Sequence, residues 1–233
     1  MTNAPQEYAI DIPELNSLPI TGSQQRFPIR RVYCLARNYV AHAIEVGDDP
    51  DKTPPFYFQK PAGAVTSAEN DFVYPATTQA LGYETELYVA LKSGGKNIPE
   101  AEANTHIFGY GVAQDMTQRD MQKIAKERRR PWEAAKSFDN SAPCTAIHPI
   151  AKTGILTEGR IWLKVNGVMK QDSNINKMRW NIPKTIAILS QHNELKAGDI
   201  ILTGTPEGVD LVKRGDLLEA GVESLDEMAF KII

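Results

Sequence analysis

Two glutamates, Glu84 and Glu86, stand two residues apart in "LGYETELYVAL" (81–91), a stretch that otherwise reads as a β-strand. Side chains alternate along a strand. Glu84, Glu86, Tyr88 and Ala90 therefore share one face, while Thr85, Leu87, Val89 and Leu91 share the other and form a core face. At about 3.3 Å rise per residue, the two glutamate Cα atoms lie about 7 Å apart. On a solvated face the pair is only polar surface. On an enclosed face, two like charges must take up a proton or share a cation. Asp115 ends "HIFGYGVAQD" (106–115) just before a helix start, where a carboxylate can face a pocket. The three acids together would make an all-oxygen site for a hard cation such as Mg²⁺, Mn²⁺ or Ca²⁺, unsuited to zinc or copper. Spacing alone does not bring Asp115 beside the pair, so both readings stand at this point.

His42 and Glu45, three apart in "RNYVAHAIEVG" (37–47), share one face of a short helix. A carboxylate beside an imidazole fixes its tautomer and raises its basicity, as a general base requires. A surface pair at a frayed helix end is the other reading. "DDPDKTPP" (48–55) follows at once, with three aspartates and three prolines. It is incompatible with regular structure and suited to a lid beside the histidine. Lys136 lies among small and aromatic residues in "WEAAKSFDNSAPC", where a half-buried ammonium wants an anion. The turn in "ILTGTPEGV" exposes backbone amides and the Thr205 hydroxyl, as many structural turns do.

These side chains need a scaffold. The 233 residues form one large domain or two small ones, 42% apolar and 24% charged, as in ordinary soluble proteins. A net charge of −3 speaks against non-specific nucleic-acid binding. There is no ~20-residue apolar run for a membrane span, and no secretion signal at the start. The expected location is cytoplasmic. Cys34 and Cys144, without a C-x-x-C, indicate neither a disulfide framework nor a zinc-thiolate site. No G-x-S-x-G elbow, Walker loop or G-x-G-x-x-G occurs.

Strands are predicted at 29–36, 56–65 and 106–115, and a hairpin at 160–171 around Asn166-Gly167. Helices are predicted at 37–47, at 117–130 with Thr117 as N-cap, and at 181–193 with Pro183 in the first turn. The cations of "KERRR" (126–130) are expected in the last helical turn, complementing its dipole. Strands outnumber helices, so the expected fold is a β-rich α+β domain over 29–233, with an extended segment, 1–28, packed on it.

"RNYVAHAIE", "FQKP", "YETEL", "GYGVAQDMTQRDMQ", "PWEAAKSFDNSAPC", "LKVNGVMKQ" and "GDIILTGTPEGV" occur in this order from Arg31 to Ile233. The chain thereby resembles the fumarylacetoacetate hydrolase superfamily, and most of all its acylpyruvate and fumarylpyruvate hydrolase branch. The resemblance implies a mixed β-roll, and Glu84, Glu86 and Asp115 as ligands of a divalent metal, Mg²⁺ first. It implies a water-activating His42–Glu45 dyad on a lid, and Lys136 as oxyanion stabiliser. Arg37, Gln122 and Thr205 would contact the keto-acid end of the substrate, and the active form would be a homodimer. Ala36, Gly82 and Asp210 depart from the residues usual at those places, and none is an implied ligand. The implied reaction is hydrolytic C–C cleavage of a 1,3-dicarbonyl acid. The alternatives are an oxaloacetate decarboxylase or tautomerase on the same site, and a non-catalytic keto-acid-binding protein. The presence of both His42 and Glu45 speaks against the last, since binding needs no base.

Overall fold

The computed structural model describes residues 8–233; residues 1–7 of the 1–28 segment lie outside the described residues. A mixed eight-stranded sheet forms the centre. Its main path runs Phe56–Lys60, Arg31–Ala36, Asp199–Leu202, Thr85–Leu91, Ile107–Gln114, Ala142–Cys144, Val65–Ser67. The pairs 199–202/31–36 and 142–144/65–67 are parallel, and the rest of this path is antiparallel. An antiparallel sheet of Val168–Asn174, Arg160–Val165, Leu217–Val222 and Met228–Lys231 packs against it.

Alternation divides two cores across the central sheet. Tyr33, Leu35, Leu87, Val89 and Val112 face Ile161, Leu163, Leu218 and Ala220 of the second sheet. Val32, Cys34, Tyr88, Ala90, Ile200 and Leu202 face the other way, onto Leu18 and Phe27 of the small Ser17–Pro19/Arg26–Pro28 hairpin. The central strands are therefore covered on both sides. No face of 81–91 is solvated, because every residue of Thr85–Leu91 is buried.

The predicted hairpin turns at Asn166 and Gly167, with φ of 52° and 75°. Helix Ile182–His192 carries Pro183 in its first turn, and Asn181 caps it by accepting from the Lys184 amide at 2.9 Å. Among the described residues, no helix is long and apolar enough to cross a membrane.

Four local expectations are corrected. Thr117 is not a helix cap. It pairs with Gly82 in a three-stranded ladder of Leu211–Val212, Leu81–Gly82 and Thr117–Gln118, and its hydroxyl donates to the Asp115 carbonyl. The helix is Arg119–Glu127, so Arg128, Arg129 and Arg130 lie beyond it and only Lys126 is in its last turn. The helix predicted from 37 begins at Val40, because Arg37 takes a φ of +61°. The strand predicted at 56–65 is broken by a 3₁₀ turn at Ala62–Ala64, just after Pro61.

Candidate active site

Glu86 lies in strand Thr85–Leu91, while Glu84 stands in a short break just before it. Asp115 directly follows the neighbouring strand Ile107–Gln114, and its amide donates to the Glu84 carbonyl at 2.8 Å. This pairing closes the sequence gap. One carboxylate oxygen from each of Glu84, Glu86 and Asp115 lies within 4.8 Å of the others, and all three residues are buried. Glu86 Oε2 accepts from the Gly204 amide at 2.6 Å, whereas its Oε1 is buried without a hydrogen-bond partner.

Three buried or half-buried cations answer the acids. The Lys136 ammonium donates to Glu84 Oε2 at 2.8 Å and to Asp115 Oδ2 at 2.6 Å. Lys60 lies 2.9 Å from Asp115 Oδ1 and donates to the Lys136 carbonyl and, at 2.9 Å, to the Ser141 hydroxyl. Arg119 lies 2.8 Å from Glu84 Oε1. These surroundings split the two glutamates. Burial alone would raise the Glu84 pKa, but Lys136, Arg119 and His42 outweigh it and hold the group below the ordinary carboxylate range. Burial, with the Asp115 and Glu84 charges, pushes Glu86 well above that range. An orphaned oxygen on an acid raised by like charges, in a cradle of hard oxygens, fits a divalent cation.

His42 Nδ1 lies 3.2 Å from Glu45 Oε2, and Glu45 Oε1 accepts from the Gly208 amide at 3.0 Å. His42 is buried, while Glu45, at the exposed end of helix Val40–Glu45, is fixed at both carboxylate oxygens by His42 and Gly208. Burial keeps the His42 pKa below its ordinary value although Glu84 and Glu45 pull it up. His42, Arg37, Glu84, Gln122, Lys136 and Thr205 line one cleft. Within it, Arg37 pairs with Asp48 at 2.9 Å, Gln122 Oε1 accepts from Arg119 at 3.2 Å, and Thr205 Oγ1 accepts from Gln171 at 2.8 Å.

Sequence reasoning placed none of Lys60, Arg119, Lys126 and Trp132 in the site, and read Lys126 only as a helix-end cation. Lys60 did carry a signal: a lysine in the apolar run "FYFQKP" needs a buried counter-charge.

A β-rich α+β fold that sets three buried carboxylates beside a histidine–glutamate pair defines a class of hydrolytic site built for a hard cation. Residues 31–233 match the family described as fumarylacetoacetate (FAA) hydrolase, C-terminal, and the chain belongs to that family. It is 38% identical over 203 residues to mitochondrial oxaloacetate tautomerase FAHD1 of Mus musculus, covering 87% of this chain and 91% of the relative. It is 37% identical over 177 residues to fumarylpyruvate hydrolase of a Ralstonia species, covering 76% and 92%. The crystal structure of fumarylpyruvate hydrolase from Pseudomonas aeruginosa in complex with Mn²⁺ and pyruvate superposes with a TM-score of 0.95 at 41% identity, covering 97% of this chain and 99% of that one.

Proposed function

We propose that this protein hydrolyses the C–C bond of an acylpyruvate, a 1,3-dicarbonyl acid of the fumarylpyruvate type, to pyruvate and a carboxylic acid. The observation that carries the reading is the buried Glu84–Glu86–Asp115 triad, whose Glu84 lines the same cleft as His42 of the His42–Glu45 pair. A divalent cation held by the triad, Mg²⁺ in this reading, would supply Lewis-acid polarisation of the keto-acid oxygens and a sink for the electrons released. Arg37, Gln122 and Thr205 orient the pyruvoyl end.

Glu45 holds Nδ1 of His42, so Nε2 takes the proton from water. The hydroxide adds to the distal carbonyl carbon. The Lys136 ammonium has three N–H donors and gives two to carboxylates. The third is left for the developing oxyanion. Collapse breaks the bond to the methylene, whose electron pair leaves with pyruvate and takes up the proton from His42. Residues 29–233 act as the catalytic domain, with the 17–28 hairpin packed on it, and the active species is a homodimer.

The oxaloacetate tautomerase relatives favour one further reading, proton transfer on oxaloacetate at the same site. The deciding experiment follows a panel of acylpyruvates and oxaloacetate with Mg²⁺ by mass spectrometry. Glu84→Gln and Asp115→Asn should abolish acylpyruvate cleavage, and EDTA should do so reversibly. Full activity in a verified metal-free preparation would overturn the metal's role, and turnover of oxaloacetate alone would overturn hydrolysis.

A further inference from the structure

One buried amide joins parts of the cleft that lie far apart in the chain. Strand Val168–Asn174 buries only Gln171 and Ser173, and Gln171 has no exposed surface. Its Oε1 accepts from the Thr85 amide at 3.1 Å, between Glu84 and Glu86. Its Nε2 donates to Thr205 Oγ1 at 2.8 Å, to the Pro206 carbonyl at 2.9 Å and to the Glu207 carbonyl at 3.4 Å. The turn bearing Thr205 is packed on the same strand, where a Cβ on Gly208 would collide with the Lys170 carbonyl oxygen. Packing alone does not require an amide here. A buried amide is unfavourable unless its groups are answered, and this one is answered by the backbone around the site and by Thr205.

The backbone partners also fix which end of the amide is which. A backbone N–H only donates and a carbonyl only accepts, so a flipped amide would set like against like on both sides. Thr205 Oγ1 is therefore an acceptor toward Gln171, and its own hydrogen points elsewhere. Among the described residues Thr205 Oγ1 donates no hydrogen bond, and Thr205 lines the cleft.

We infer that Gln171 is a positioning residue: it occupies the acceptor side of the Thr205 hydroxyl, so that Thr205 presents its hydrogen to the substrate carboxylate. The inference rests on the acylpyruvate reading and adds a directed donor to it. A carboxylate only accepts, and a hydroxyl free to rotate would meet it with either side. The amide's hold on Thr85 keeps that donor in register with the strand bearing the acids.

Calorimetry with oxalate at saturating Mg²⁺ tests this. Thr205→Val should weaken oxalate binding about 10- to 100-fold, the range of a hydrogen bond to a charged group, and Thr205→Ser should keep most of it. Gln171→Met should weaken it at least about threefold, within the coupling range of one hydrogen-bond network, and should add nothing in the Thr205→Val background. With acylpyruvates, Gln171→Met should raise KM and leave kcat within about twofold, because the lost contact is the same in ground and transition states. Undiminished oxalate binding by Thr205→Val would overturn the directed hydroxyl, even if Gln171→Met does not fold. Oxalate binding unchanged in folded Gln171→Met, or weakened equally in the Thr205→Val background, would overturn the positioning role. Failure of the unaltered protein to bind oxalate would overturn the keto-acid reading and this inference with it.

Discussion

His42 is tuned by opposing influences. Burial disfavours its imidazolium, while Glu84 and the Glu45 contact favour it, and burial wins. A base must be neutral to work, so activity is lost as pH falls through the folded pKa, and that pKa lies below the ordinary histidine value. The acid limb of kcat should therefore fall below about pH 6.5, the unperturbed value. Because Glu45 raises the pKa, Glu45→Gln should move the limb to still lower pH, and a shift upward would contradict the assigned contact. His42→Ala should lower kcat by about 10²- to 10⁴-fold with oxalate affinity nearly unchanged. The Glu84/Glu86 spacing and the His42/Glu45 spacing were legible in the sequence because each is carried by residue type two or three positions apart. Arg119 was not, since a partner 35 residues away leaves no local mark, and the apolar run around Lys60 showed only that it needs a counter-charge, not that Asp115, 55 residues away, supplies it. Asp115 fell between these cases: its type was legible, but its place beside Glu84 depended on strand register.

At the scale of elements, the alternation in 85–91 was legible because it records which side of a sheet each residue faces. The break at 83–84 was not. It is imposed by Leu81–Gly82 pairing with Thr117–Gln118 and Leu211–Val212 in another ladder, and Gly82 alone hints at it in the sequence. The loop after Asp199–Leu202 has a comparable hidden role. Gly204, at φ +93°, aims its amide at Glu86, and an added Cβ would lie 2.8 Å from Asn38 Cβ. Gly215 also has φ +93° but meets nothing within 4 Å. Alanine at either position should cost about 1–3 kcal/mol in backbone strain. Only Gly204→Ala should also weaken the acidic site. Thermal unfolding with and without Mg²⁺ separates the two effects. Cation binding stabilises the native state by about 2.7 kcal/mol at one hundred times Kd, and that gain should shrink in Gly204→Ala and persist in Gly215→Ala.

Across the whole molecule, the cleft is assembled from segments far apart in sequence, and the part bearing the base is held by polar contacts. Asn38 donates to the carbonyls of Trp180 at 3.0 Å and Thr203 at 2.8 Å. Arg179 donates to the Pro50 carbonyl and, at 2.8 Å, to that of Thr53. Glu45 is held by the Gly208 amide, and Asp48 by Arg37. The sequence showed a proline- and aspartate-rich loop beside a histidine but could not show that Arg179, more than 120 residues away, is its tether. Within 48–55 only Pro55 is buried, so hydrogen bonds and one ion pair hold the segment with little apolar burial. Segments of that kind open at low free energy. A base is useful only when bulk water is excluded, whereas substrate entry needs an open site, so 40–55 should act as a lid. Hydrogen exchange at saturating Mg²⁺ should find 40–55 weakly protected alone and at least tenfold more protected with oxalate. Arg179→Ala should speed exchange at 48–55 in the free protein and raise KM more than it lowers kcat, since it loosens closure without touching the base. Strong and equal protection with and without oxalate would mean that the site is preformed, and Arg179 would then be a structural anchor alone.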